Sequence, residues 1–326
     1  MSPGSRALCL AVLLVLASSC AADPESSAAP DATALERTEL TVGLLPIVDV
    51  APVHLAIERG LFEAEGLSVT TEVVQGGAAA IPALVGGDLD IAYGAWPSFL
   101  IANQQGIELR AIADGVAASP GFTEFLALPD SGLEGNPAGM AGGTIAVNTL
   151  GNIGELAVRS TLRDAGVDPA EVELVEIPFP EMGAALERGD VDVIWASEPV
   201  PTIVKDGQGA VVVVDSFVGE LADFPVAGYQ ATRAFVDENP NTVAAFQRAL
   251  AAAAQLATDD ETLVREIVPD YTGLDPDLAG AIVLPRYGGA IDEAILQRVN
   301  DYLVEFAMLE DGLPIPDLVA PQPGSG

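Results

Sequence analysis

A duplicated motif constrains the fold of this chain more than any other sequence feature. Residues 83–90, ALVGGDLD, match residues 185–192, ALERGDVD. Each copy predicts the end of a helix, a glycine in the left-handed cap and an Asp-apolar-Asp entry into a buried strand. The chain is therefore predicted to contain two halves of similar construction.

Segments with strand and helix patterns alternate on both sides of this motif. Strands are predicted at 40–45, 68–74 and 89–93 in the first half, and at 144–147, 172–177 and 191–195 in the second. Helices are predicted between them at 53–59 and 79–85, and at 153–164 and 183–187. This alternation predicts parallel sheets with helices on both faces.

The two similar halves, and the helical segments that follow them, predict two lobes joined by a hinge. Beyond Phe224 the pattern is helical, with segments at 240–257, 261–267 and 292–308. If these helices pack on the first half, lobe 1 is discontinuous and comprises residues 39–125 and 229–320, whereas lobe 2 comprises residues 126–228. The chain would then cross between the lobes near 125–128 and 224–229, and two crossings form a hinge. The predicted fold class is α/β, with two βα sandwich lobes.

The N-terminal residues 1–20 are typical of an export signal. Arg6 precedes an apolar run from Ala7 to Ala17, which is too short for a stable membrane span. Small residues lead to Cys20, whose thiol could carry a lipid. The alternatives are ordinary cleavage and a cysteine without a function. Residues 21–38 contain almost no large apolar side chain and are predicted to form a flexible tether.

Composition excludes several classes of function. The formal net charge of -35 repels phosphate backbones, so nucleic acid is not an expected partner. Apart from Cys20, the only cysteine lies in the predicted signal. The single histidine, His54, is expected near the domain surface. No GxSxG, P-loop or HExxH motif is present, so we expect no catalytic residues, no cofactor and no metal site.

Loops that follow the predicted strands carry the candidate ligand contacts. Ligands of open parallel sheets bind beyond the carboxyl ends of strands, where unpaired N–H groups of helix N-termini can hold an anion. The candidates are Asp49, Gly76, Gly77, Trp96, Asn148, Thr149, Asn152, Trp195, Glu198 and Tyr229.

Several candidates have a structural alternative. The pair Gly76-Gly77 fits a tight turn, and Asn148-Thr149 fits a helix cap. Glu198 could pair with Arg159 or start a helix. The two tryptophans of the chain follow the third strand of each half, which favours a place in the cleft for both. At the second crossing, Tyr229 is a hinge residue first and a ligand contact second.

The stretch from Ala51 to Leu67, APVHLAIERGLFEAEGL, resembles the opening of ABC-importer substrate-binding proteins of the taurine, alkanesulfonate and nitrate type. Segments 76–90, 148–155 and 195–199 are also similar to that family, so the resemblance covers nearly all of residues 40–306. It implies the periplasmic-binding-protein fold of the second topological type, which closes over a ligand, and a monomer that partners permease and ATPase subunits.

The resemblance does not select one ligand, because the family includes binders of sulfonates, nitrate, bicarbonate, aromatic acids and thiamine-pyrimidine precursors. With no basic residue in the cleft loops, we expect an organic sulfonate or carboxylate. A neutral or cationic heterocycle is the alternative, because Asp49, Glu198 and the indoles could form a cation-binding box. Two other readings stay open: a sensor that signals to a receptor, and the pyrimidine-forming enzymes that share the fold.

Overall fold

The computed structural model describes residue 1 and residues 34–323, and the chain from Leu35 onward forms one compact unit. Its strands are β1 (Glu39–Leu44), β2 (Ser68–Val73), β3 (Ile91–Ala95), β4 (Leu109–Ala117), β5 (Thr123–Ala127), β6 (Thr144–Val147), β7 (Glu173–Glu176), β8 (Val193–Ser197), β9 (Val211–Asp215), β10 (Pro225–Thr232) and β11 (Arg286–Tyr287). Its α-helices are α1 (Ala51–Glu58), α2 (Leu61–Ala64), α3 (Gly77–Gly86), α4 (Trp96–Gln104), α5 (Ile153–Asp164), α6 (Phe179–Arg188), α7 (Val200–Gln208), α8 (Arg233–Glu238), α9 (Pro240–Asp259), α10 (Glu261–Thr272) and α11 (Glu293–Glu305).

The strands form two mixed sheets, one in each lobe. The first sheet has the order β11-β4-β10-β3-β1-β2, and the second has the order β7-β6-β8-β5-β9. The strands β1 and β6 each pair in parallel with two neighbours, as the βα alternation predicts. The strands β10 and β5 are antiparallel additions from distant parts of the chain. The predicted two-lobed α/β fold is confirmed.

The duplicated motif makes the same contacts in both lobes. The carboxylate of Asp90 accepts the backbone N–H of Thr41 at 2.8 Å, and Asp192 accepts that of Thr144 at 2.8 Å. Each aspartate thus fixes the turn that leads into β3 or β8, and each of these strands begins and ends two residues later than predicted. The cap glycines are left-handed, with φ of 79° at Gly87 and 71° at Gly189.

Two connections join the sheets, at residues 118–122 and 216–224. The first was expected at 125–128, but Phe125 lies inside β5, where it pairs with Trp195 and Val214. The apolar sequence of β5 would fit either sheet, so it does not show where lobe 1 ends and lobe 2 begins. At the second connection, Tyr229 lies inside β10 of the first sheet and not in the hinge.

Helices α9 and α10 pack against α1, on the first lobe. The N-terminus of α9 also fixes the end of the predicted tether. The carboxylate of Glu36 accepts the backbone N–H groups of Asn241 and Thr242, each at 3.0 Å, and Arg37 pairs with Asp90 at 2.6 Å. Burial acts to raise the pKa of Glu36, but these donors lower it overall. The chain is therefore anchored from residue 36, before the expected end of the tether at 38.

The predicted signal peptide, Cys20 and residues 21–33 of the tether lie outside the described residues. Within the described part of the chain, no helix combines the length and the apolar character needed to cross a membrane.

Candidate ligand-binding cleft

A small cavity lies between the two sheets, at the carboxyl ends of the parallel strands. Its volume of about 30 Å³ leaves room for water but not for an organic solute. None of its lining side chains is basic. The lining residues are Leu45, Ile47, Asp49, Gly77, Tyr93, Ala95, Thr123, Asn148, Asn152, Ile153, Phe179, Trp195, Ser197, Val226 and Ala227.

Most of these residues form pairs at equivalent positions of the two halves. Thr41 and Thr144 make equivalent backbone contacts, so the first part of each half is aligned by placing Thr144 on Thr41. The later part is aligned by placing Asp192 on Asp90. The resulting pairs, lobe 1 first, are Leu45 and Asn148, Asp49 and Asn152, Gly77 and Phe179, Tyr93 and Trp195, and Ala95 and Ser197.

Among the residues that the structure describes, Asp49 is the only one that brings a carboxyl group to the lining of this cavity. Its carboxylate accepts the hydroxyl of Tyr93 at 2.8 Å within lobe 1 and the hydroxyl of Ser197 at 3.3 Å from lobe 2. Burial raises the pKa of Asp49 to about 7, although both hydroxyl groups act to lower it. Asp49 therefore spans the interface between the lobes and changes protonation near neutral pH.

Two asparagines line the cavity from lobe 2. The amide nitrogen of Asn148 donates to the carbonyl of Gln75 at 3.3 Å, across the cleft, and that of Asn152 donates to the hydroxyl of Thr149 at 2.8 Å. The amide oxygen of each asparagine is buried and has no hydrogen-bond partner among the described residues. Each amide nitrogen thus uses one of its two N–H groups in these bonds, whereas both amide oxygens remain free.

Aromatic side chains form much of the remaining wall. The indole of Trp195 donates to the hydroxyl of Ser216 at 2.9 Å, which fixes the ring plane. The ring of Phe179 lies 6.0 Å from it, centroid to centroid. On the opposite lobe, Tyr93 completes the wall. These flat apolar surfaces suit a planar organic group.

Of the predicted site residues, Asp49, Gly77, Asn148, Asn152 and Trp195 line the cavity. Gly76 and Thr149 lie next to it and face each other across the cleft. A Cβ atom at Gly76 would approach the amide nitrogen of Asn148 to 2.9 Å and the side chain of Thr149 to 3.0 Å. Gly76 therefore permits the lobes to approach closely.

Trp96, Tyr229 and Glu198 do not line the cavity. Because β3 extends to Ala95, Trp96 begins α4 and packs against the sheet, where a Cβ at Gly228 would lie 2.1 Å from its ring. Tyr229 lies beneath Tyr93, with the ring centroids 5.2 Å apart. All three side chains are almost fully buried.

His54 also lies away from the cavity. Its ring stacks on that of Tyr271 at a centroid distance of 3.8 Å, and burial lowers its pKa to about 4.

Sequence reasoning missed Tyr93, Phe179 and Ser197, although the duplication could have revealed them. In the register set by Asp90 and Asp192, Trp195 is equivalent to Tyr93 and not to Trp96. The two tryptophans are thus three positions apart in the repeat. The internal repeat does not reveal the cavity residues on β5 and β10, because these antiparallel strands come from distant segments of the chain.

Comparison with known proteins identifies the family. The model of the NMT1-like family matches residues 33–268, and the chain belongs to this family. The resemblance to ABC-importer substrate-binding proteins is thereby confirmed.

Individual relatives differ in the ligands that they are named for. The chain is 25% identical over 246 residues to the formylaminopyrimidine-binding protein of Halalkalibacterium halodurans, which covers 73% of this chain and 71% of the relative. It is 29% identical over 203 residues to the taurine-binding periplasmic protein of Escherichia coli, which covers 60% of each. The alkanesulfonate-binding protein SsuA of Xanthomonas axonopodis bound to MOPS has a similar fold, with a TM-score of 0.76, 17% identity and coverage of 89% of this chain and all of that one.

Proposed function

We propose that this protein is an extracytoplasmic solute-binding protein that captures a small organic molecule between its lobes and delivers it to an ABC importer. The observation that carries this proposal is the buried cavity at the lobe interface, which combines one carboxyl group, free amide oxygens and aromatic walls. The relatives named for formylaminopyrimidine and for taurine are binding proteins, which supports the proposal.

Capture requires movement of the lobes. Pockets for small organic ligands usually enclose at least about 300 Å³, whereas this cavity holds about 30 Å³. Polar contacts between the lobes help to close it, such as the bonds from Ser197 to Asp49 and from Asn148 to Gln75. The structure therefore corresponds to a closed cleft, and a ligand would bind to an open form and shift the population toward a wider closed form.

The free acceptors of the cleft favour a ligand that donates hydrogen bonds. Asp49, Asn148 and Asn152 offer oxygen atoms, and no basic side chain balances the carboxylate. The N-termini of α3, α5 and α6 also reach the cavity and could hold an anion, but each carries only about half a unit charge. The charge of the cleft thus favours the neutral or cationic heterocycle over the organic anion.

An aminopyrimidine is a suitable ligand class. Its exocyclic N–H groups can donate to the ionised carboxylate of Asp49 and to the free amide oxygens of Asn148 and Asn152. Its plane can stack between Trp195 and Tyr93. The similarity to a formylaminopyrimidine-binding protein supports the same class.

A thermal-shift screen tests this proposal. A ligand that binds only the folded state raises the melting temperature with its concentration. We expect formylaminopyrimidine to raise it, and taurine, alkanesulfonates, nitrate and bicarbonate to have little effect. No shift from any small organic compound, with the protein folded, would contradict the proposal.

Export and lipid attachment at Cys20 are part of the same proposal. A lipid would keep the protein near the permease and ATPase subunits and raise its effective concentration there. Replacement of Cys20 by serine is expected to release the protein from the membrane fraction, and retention of the variant would contradict lipid anchoring.

A further inference from the structure

The carboxylate of Glu198 lies between the lobes, beside the cavity. It is 1% exposed, and no atom of it lines the cavity. Within lobe 2 it accepts the hydroxyl of Thr202 at 2.9 Å and the backbone N–H of Thr202 at 3.3 Å. From the other lobe, the backbone N–H of Val283 donates to it at 3.2 Å. One buried acceptor therefore joins a donor from each lobe.

The segment that carries Val283 is fixed to lobe 1. The guanidinium of Arg265, on α10, donates to the carbonyls of Ala279, Gly280 and Ile282 at 3.0, 3.3 and 2.8 Å. Helix α10 packs in turn against α1 and α9. Because this segment is held at three points just before Val283, its N–H is positioned for Glu198 and does not move independently of lobe 1.

A second bond extends the same contact to the ligand cleft. The backbone carbonyl of Glu198 accepts the N–H of Val48 at 3.0 Å, and the carbonyl of Val48 accepts the hydroxyl of Tyr287 at 3.0 Å. Val48 directly precedes Asp49. Glu198 thus fixes the backbone next to the carboxyl group that faces the ligand, although it lies outside the cavity itself.

We propose that Glu198 is a latch for lobe closure, a positioning residue that holds Val283 and Val48 of lobe 1 against lobe 2 and stabilises the closed form. This inference rests on the proposed function in one respect, namely that the lobes open and close. Opening separates Glu198 from both partners. Burial raises the pKa of Glu198 to about 7, so above this pH its carboxylate is charged and accepts stronger hydrogen bonds than a neutral group does. The latch therefore sets how long a ligand stays bound, and the cavity residues decide which ligand binds.

Hydrogen exchange of the ligand-free full chain tests the latch. We compare wild type with Glu198→Ala and with Thr202→Val, which removes a bond to the same carboxylate but leaves the bond between lobes intact. At pH 8, Glu198→Ala is expected to speed amide exchange by about tenfold at Val283, which loses its acceptor, and also at Val48. The acceptor of Val48 is the backbone carbonyl, which alanine retains, so faster exchange at Val48 reports opening of the lobes. Thr202→Val should leave both amides close to wild type. Equal exchange in the two variants, or no change in Glu198→Ala, would overturn the latch.

A second variant keeps the test decisive if Glu198→Ala does not fold. Glu198→Gln retains an oxygen for Val283 but loses the charge, so exchange at Val283 should increase by a smaller factor, about threefold. Exchange identical to wild type would count against the latch.

The test of the latch and the test of the ligand class have independent outcomes. Exchange in the absence of ligand does not depend on which solute binds, so a negative ligand screen leaves the latch result unaffected. If formylaminopyrimidine binds, Glu198→Ala should speed its dissociation more than it slows its association. The opposite pattern would place Glu198 in ligand recognition.

Discussion

The two lobes present equivalent backbone positions to one cavity but place different chemistry on them. Lobe 1 carries Asp49 where lobe 2 carries Asn152, and lobe 1 carries Gly77 where lobe 2 carries Phe179. Lobe 1 therefore supplies the charge and leaves space, whereas lobe 2 supplies uncharged acceptors and much of the aromatic surface. A duplicated scaffold can thus make an asymmetric site, because only side chains need to differ.

The largest expected effect comes from the aromatic wall of lobe 2. Trp195→Ala should weaken binding of formylaminopyrimidine by at least about a hundredfold, because a stacking surface at the centre of the site is lost. Trp96→Ala is the matched control, since Trp96 is as buried but lies outside the cavity. Both variants should lose about 3–5 kcal/mol of folding stability. Calorimetric titration of the folded variants at low temperature measures ligand affinity separately from folding stability. An equal loss of affinity in Trp96→Ala and Trp195→Ala would contradict a specific role of Trp195 in the site.

The charge on lobe 1 gives the next effect. Asp49→Asn should weaken binding of the same ligand by about tenfold to a hundredfold, since hydrogen bonds to a charged acceptor are the stronger ones. Asp114→Asn is its control, because burial also raises the pKa of Asp114 to about 7 and Asp114 does not line the cavity. The Asp114→Asn variant should bind the ligand with wild-type affinity in the same titration. A loss of affinity similar to that of Asp49→Asn would indicate an effect of charge at a distance.

These two aspartates also predict a pH dependence of stability. Burial raises the pKa of each to about 7, so between the unfolded value near 4 and this value the native state binds more protons than the unfolded state. Their stabilising contribution is full below about pH 4 and is lost as the pH rises through 7. Melting temperatures of either Asn variant relative to wild type should therefore increase from pH 5 to pH 8. A constant difference would contradict the raised pKa values.

Close approach of the lobes at Gly76 predicts a smaller effect. Gly76→Ala adds a methyl group 2.9 Å from the Asn148 amide, which must shift before the lobes close. Affinity should fall by about threefold to tenfold, as expected for moderate steric crowding. Gly86→Ala, at the far end of α3, is the control because the nearest atom to its added methyl group would be 3.7 Å away. Equal affinities of the two variants would show that this approach does not limit closure.

Ser197→Ala should have the smallest effect. The bond from Ser197 to Asp49 is long, at 3.3 Å, and a neutral donor of this kind contributes about 0.5–1.5 kcal/mol. Its loss frees an oxygen of Asp49 for the ligand, so affinity should change by less than about fivefold. A loss comparable to that of Asp49→Asn would place Ser197 in direct contact with the ligand.

The sequence was informative where the structure repeats and uninformative where distant segments meet. Helix α5 has the predicted bounds, and the duplicated Asp90 and Asp192 have the predicted role at their strands. The symmetry assumed for Trp96 and Trp195 was wrong, because the register follows the aspartates and not the tryptophans. The role of Glu198 depends on Val283, which is remote in sequence, and no local pattern predicts that contact.

The pH dependence of ligand affinity distinguishes the two ligand classes, because they require opposite protonation states of Asp49. We would measure the Kd of formylaminopyrimidine and of taurine at pH 6 and pH 8 by calorimetry. We expect formylaminopyrimidine to bind, and to bind more tightly at pH 8, where Asp49 is ionised and accepts its N–H groups. Tighter binding of taurine, strengthening at pH 6 as Asp49 becomes neutral, would contradict the account and identify an anion-binding cleft.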